Sequence, residues 1–319
     1  PPPRSPVRSG GPVRPLAADL AVREELAAMT LLLQYVVNGL ASGSLYALVA
    51  LGIVLLYRCS RVLNFAHGDL SSVGVFLALS ALTAGWPYPL ALAAGLGGAG
   101  VLAVSFYRVF LRPVRGGTVL GSVIATLAFA LVLSGVQVWV WGTQTRVFPF
   151  PLSESRVVRW GGVAVSERTV GTLGIGMLLV AGLSVFVRKS RWGLAMRAVA
   201  QDPEAAQMVG VPAGRVLAAT WALSGVLGAS AGVLLAPAVF VDPFMMLDPF
   251  LKGFTAAVLG GIESLPGAVV GGFGLGVLES LFAGYVSVRF KTTLAFGVIV
   301  AALLVRPEGL LGRPLQRRV

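Results

Sequence analysis

Five stretches with no charged side chain limit what this chain can become. They cover residues 29–57, 70–107, 116–145, 169–187 and 216–241. A helix needs about 20 apolar residues to cross a bilayer, so these stretches hold one, two, one, one and one spans, the second stretch being broken around Gly85 and Pro87. With hydrophobic residues at 56% and charged ones at 12%, the fold class is an all-α polytopic membrane protein of about eight to nine transmembrane helices in the cell membrane. The net charge of +12 then reflects basic loops on one side and attraction to anionic lipid head groups, not nucleic acid. A single Cys59 and a single His67 exclude a disulfide framework and argue against a metal site.

Residues 1–28 are rich in Pro, Arg and Gly and lack the apolar run of a signal peptide, so they read as a disordered basic tail. Met29 stands directly before the first apolar run and is the expected natural start. The membrane domain then covers 29–306 and a basic tail covers 307–319. In the first span Gly39, Gly43 and Ala47 recur every four residues and give a face for close helix packing. Gln34 and Asn38 on the same span serve either a polar pathway or an interhelical hydrogen bond. Asn64, His67 and Asp69 open the second span; His67 and Asp69 are two apart and do not share a helix face, which argues against a catalytic pair. The three residues either hold the bent start of that span or touch substrate. Residues 142–168 mix charge with turn residues and suggest a folded loop on the membrane surface.

Gly228, Ser230 and Gly232 match G-x-S-x-G, but inside an apolar helix the pattern lacks the strand-to-helix elbow that serine chemistry needs. Residues 250–262 read as an apolar segment, either a short tilted crossing or a re-entrant one. Residues 260–267 make a turn, and Gly267, Gly271, Gly272 and Gly276 offer a second close-packing surface. Glu279 is the carboxylate placed well inside a span, where it should face protein or a cavity.

One polar segment, 188–215, interrupts the apolar pattern with Arg188, Lys189, Arg191, Arg197 and Arg215. Within it Asp202 suits an N-cap, Pro203 the first helical position and Gly210 the left-handed residue beyond the end. A helix of about two turns follows, with Glu204 at its N-terminus and Ala205, Ala206, Met208 and Val209 as an apolar surface fit for a partner's groove. An ordinary solvated loop is the alternative. The positive-inside rule puts this segment, the Arg58/Arg61 link and the Arg108/Arg115 link on the cytoplasmic side, with nine crossings and the N-terminus outside. No lysine follows a glycine, so the phosphate-cradling G-x-x-x-x-G-K-[ST] loop is absent from the sequence.

The string from Asn64 to Asp69 (NFAHGD), the run RPVRG from Arg112, the segment RAVAQDPEAAQMVGV and the run FTAAVLGGIESLPGAVVGG occur in that order over residues 29–312. Together they resemble the permease subunits of branched-chain amino acid ABC importers. The resemblance implies an ABC importer permease fold and a non-enzymatic transport subunit without a cofactor of its own. ATP and Mg would be used by partner subunits. It also implies the partners: a second homologous permease, two ATP-binding cassette ATPase subunits and an extracytoplasmic substrate-binding protein. The segment from Ala200 to Val211 resembles the coupling helix that docks on an ATPase. The substrate is Leu, Ile and Val, or in related permeases other amino acids, urea or short amides. An ion-coupled carrier using Asp69 and Glu279 is the alternative from a different class.

Overall fold

The computed structural model describes residues 16–113, 118–160, 163–306 and 308–312. Outside the described residues lie most of the expected N-terminal tail, Arg115, the Gly161–Gly162 pair and Arg313, Arg317 and Arg318. In chain order the helices are α1 (Leu16–Ser60), α2 (His67–Thr83), α3 (Tyr88–Phe106) with a π-helical turn (Tyr107–Leu111), and α4 (Val119–Trp141). An antiparallel hairpin of β1 (Val157–Trp160) and β2 (Val163–Ser166) pairs Val157 with Ser166. Then come α5 (Glu167–Lys189), α6 (Arg191–Gln201), α7 (Pro203–Met208), α8 (Ala213–Val239), α9 (Leu247–Gly260), α10 (Leu265–Tyr285) and α11 (Lys291–Val305). Polar residues set several of these starts. Thr118, Ser166, Ser190, Asp202 and Ser264 each accept a hydrogen bond from a backbone N–H in the first turn of the helix that follows.

Among the described residues six helices are long and apolar enough to cross a membrane: α1, α3 with its π turn, α4, α5, α8 and α10. The other three expected crossings are the shorter α2, α9 and α11, of 17, 14 and 15 residues. At 1.5 Å per residue α9 is only about 21 Å long. It nevertheless joins the two ends of the bundle. Asp248 in its first turn accepts a hydrogen bond from Thr292 at the start of α11, whereas its far end meets the final segment through Leu310 N–H to Leu259 O (2.8 Å) and Leu311 N–H to Gly260 O (3.1 Å). The 250–262 segment thus runs from one end to the other and does not turn back.

Contacts between distant parts of the chain sort the links into two sets. At one end Gln34 bonds to Ala164 of the hairpin, Arg146 forms a backbone bridge with Val241, Trp141 bonds to Ser80 and Arg168 bonds to Pro237 O. At the other Arg61 pairs with Glu263, and Cys59 donates to Met196 O. Arg58, Arg61, Arg188, Lys189, Arg191, Arg197 and Arg215 therefore share one end, called the loop end, and the hairpin marks the opposite one.

Two expectations change and two gain detail. Residues 16–28, expected to be disordered, form the first turns of α1, and the helix passes through Met29 without a break. The described part of the C-terminal tail, 308–312, folds back on α9 as Gly261 and Gly309 take φ of +104° and +80°. The surface loop contains a hairpin, and the polar segment contains α6 in addition to the short helix.

The seam between α1 and α10 is made by Gly39, Gly43 and Ala47 of the first small-residue face and by Gly272 and Gly276 of the second, whose Gly267 and Gly271 pack on α9 instead. A Cβ built on Gly39 would lie 2.6 Å from Val277 Cα, and one on Gly43 would lie 2.8 Å from Phe273 Cα; Gly276 meets the backbone of Gly39 and Gly43 in the same way. Only glycine permits that approach. Gly274, on the outward face of α10, has nothing near it. Gly276→Val should therefore destabilise the protein by about 1–3 kcal/mol or prevent assembly, while Gly274→Val stays close to wild type, read as thermal unfolding of the detergent-purified chain.

Candidate functional site

The loop end carries the element that the sequence singled out. Asp202 Oδ1 accepts from Glu204 N–H at 2.9 Å and from Ala205 N–H at 3.0 Å, Pro203 fills the first helical position, and Gly210 takes φ +85° with open space around it. Met208 and Val209 are 85% and 79% exposed, and Glu204 and Ala205 also face outward. Ala206 does not. It is only 4% exposed and packs into the chain's own core, because one face of a helix this short must seal the loop beneath it. Its expected place on the outward surface is corrected accordingly.

Helix α6 fixes α7 to the bundle. It buries Gly193, Met196 and Val199 against α1, α5 and α8, and Gly193 comes so close to the Val187 carbonyl that no Cβ would fit. Arg197 donates to the Val187 and Arg188 carbonyls and so caps the C-terminal end of α5. The loop thus has an anchored half, α6, and a presented half, α7.

A polar node forms at the start of α2. Asn64 accepts from Ala66 N–H at 3.1 Å through its side chain and from His67 N–H at 3.3 Å through its carbonyl. His67 is fully buried, with its ring slotted between Gly52 of α1 and Gly228 of α8. The Ser224 hydroxyl donates to Gly52 O at 2.9 Å, so His67 Nδ1, 3.3 Å from Ser224 Oγ, is the donor to that oxygen. Asp69 points elsewhere and accepts from Ser134 of α4 at 2.7 Å. The three residues therefore tie α2 to α1, α8 and α4, which is the geometry of the bent-start reading. Gly228 and Gly232 pack against Ser71 and Val75 of α2, and Ser230 donates to Val226 O within its own helix, so the G-x-S-x-G string is a packing surface. Asn38 is half-buried beside the α1–α10 seam.

A second node lies deep in the bundle. Glu279 of α10 accepts from Lys252 Nζ at 2.6 Å and from Tyr46 Oη at 2.7 Å, with Lys291 Nζ at 3.6 Å. Lys252 also pairs with Asp248 at 2.7 Å, one turn away on α9. Lys252 and Glu279 are 1% and 5% exposed, whereas Asp248 and Lys291 reach the hairpin end. Sequence reasoning anticipated that Glu279 would face protein, but it passed over Lys252, the one charge within residues 250–262. A lysine in an otherwise apolar crossing is itself the signal, since it must find a carboxylate inside the protein.

A family model described as branched-chain amino acid transport system / permease component matches residues 35–304, a range that takes in both polar nodes and the whole α6–α7 loop. The chain belongs to that permease family. The high-affinity branched-chain amino acid transport system permease protein LivH of Escherichia coli K12 is 33% identical over 303 residues, covering 90% of this chain and 97% of that protein. BraD of Pseudomonas aeruginosa, of the same description, is 34% identical over 303 residues, covering 90% of this chain and 98% of its own length. Membership of a membrane permease family accords with the six crossing-length helices.

Breaking the Lys252–Glu279 pair should cost more than deleting it. Lys252→Ala leaves Glu279 buried beside the more distant Lys291 and should destabilise the permease by about 3–5 kcal/mol. Lys252→Met combined with Glu279→Gln should recover most of that loss, again read as thermal unfolding in detergent.

Proposed function

We propose that this chain is the membrane permease subunit of an ATP-driven importer for branched-chain aliphatic amino acids. It forms half of the pathway beside a second homologous permease. Two ATP-binding cassette ATPases act on it from the cytoplasmic loop end, and an extracytoplasmic binding protein delivers substrate to the hairpin end. The family match over residues 35–304 carries this reading. The chain's own charge distribution supports the orientation, since Arg58, Arg61, Arg188, Lys189, Arg191, Arg197 and Arg215 gather at the loop end. At the hairpin end Arg168 pairs with Glu154.

Helix α7 is the transmission element in this proposal. A partner's motion reaches the membrane only if its two states contact the loop differently. The arrangement suits that demand: Met208 and Val209 face outward, Ala206 seals the inner side, and α6 connects α7 to α1, α5 and α8. The ion-coupled alternative is disfavoured by geometry. Glu279 is held by Lys252 and Tyr46 while Asp69 is held by Ser134, so the two carboxylates sit in separate clusters.

Met208→Arg with Val209→Arg changes only exposed side chains. In cells that make the partner subunits, the double variant should reach the membrane at the wild-type level while leucine uptake falls about tenfold or more. Ala206→Arg should instead lower the amount of folded protein, because it puts an unpaired charge under the loop. Wild-type uptake by the double variant would remove α7 from the mechanism.

A further inference from the structure

The π turn at the end of α3 opens a basic cleft that neither polar node nor α7 accounts for. Arg112 N–H bonds to Tyr107 O at 2.8 Å, the five-residue spacing of a π-helix, a conformation often found at functional positions. This turn and the start of α8 enclose a cleft of about 400 Å³ lined by Tyr107, Arg108, Arg112, Gln207 of α7 and Arg215. Among the described residues no carboxylate pairs with Arg108, Arg112 or Arg215. Three cations at one opening repel one another and favour an anion between them.

Position and flanks identify the anion. The cleft lies where two crossing-length helices end, and the ends of spanning helices are where a bilayer presents its head groups. Val109 and Phe110 on the same turn are 61% and 57% exposed, and they offer an apolar surface directly beside the basic one. A free phosphate needs only the arginines. A lipid needs both surfaces.

We propose that this cleft binds the phosphate of an anionic phospholipid, with Arg108, Arg112 and Arg215 holding the head group and Val109 and Phe110 lying against the acyl chains. Guanidinium suits the task because its planar fork can present two N–H groups to one phosphate. Gln207 lines the cleft, so a bound lipid would bridge the end of α3 to α7.

The test uses the full chain purified in neutral detergent and offered equal amounts of phosphatidylglycerol and phosphatidylcholine, with retained lipid read by native mass spectrometry. The wild type should retain phosphatidylglycerol in preference, and each arginine removed by Arg108→Gln or Arg215→Gln should weaken retention about fivefold. Arg108→Lys with Arg215→Lys keeps the charge without the fork and should retain clearly more lipid than the Gln variants, which separates loss of the site from loss of folding. Excess inorganic phosphate should fail to displace the lipid. Equal retention by the wild type and the Gln variants would overturn the proposal. So would ready displacement by phosphate, which would make this a site for free anions. Loss of a copurifying ATPase from the Gln variants with lipid retention unchanged would assign the cleft to protein docking and also overturn it.

Discussion

Backbone contact between α1 and α10 is the condition on which the rest of the bundle depends. Lipid tails are as apolar as leucine, so helices in a membrane gain little from burying apolar surface and associate through close packing and polar contacts. Gly39 and Gly43 on α1 and Gly272 and Gly276 on α10 remove the side chains that would hold the two backbones apart. Only because the seam is this thin can Tyr46 of α1 reach Glu279 of α10. That carboxylate in turn receives Lys252, so α9 is drawn against the same seam. Packing and electrostatics are thus one arrangement: the glycines bring the helices together, and the buried charges pair across the contact.

The same logic explains why α9 can be so short. A 14-residue helix carrying a lysine would be a poor crossing on its own. Surrounded by α1, α10 and α11, with Asp248 and Glu279 on either side of Lys252, it exposes little polar surface to lipid. At the loop end the constraint is reversed. There α6 buries its apolar face, Arg197 caps the end of α5, and α7 is held out from the bundle with Met208 and Val209 facing outward.

Much of this was legible in the residues. Charge-free runs located five of the six crossing-length helices, all but α10, and the four-residue spacing of small residues marked both faces of the central seam. Asp202, Pro203 and Gly210 announced α7 because caps are local chemistry. Pairings between distant residues were not legible. Lys252 and Glu279 are 27 positions apart and Tyr46 and Glu279 are 233 apart, and nothing local says that they meet. The inward turn of Ala206 was hidden for a related reason: Ala205 beside it is identical and Met208 and Val209 are apolar as well, so composition cannot tell which of them the bundle covers. Residues 16–28 were misjudged because their polar and charged groups end the apolar window, although they also permit the helix to extend beyond it. The hairpin at 157–166 escaped because two four-residue strands leave only a short alternating pattern.

Under the proposed function, force enters this permease through the exposed face of α7. Photo-crosslinking tests that contact directly in cell membranes, with a light-activated residue placed at position 208 and, for comparison, at position 158 on the hairpin. Position 208 should yield an adduct with an ATP-binding subunit, the adduct should change in yield when nucleotide is added, and position 158 should yield none. Equal adducts from both positions, or an ATPase adduct from 158 alone, would contradict both the orientation and the role assigned to α7.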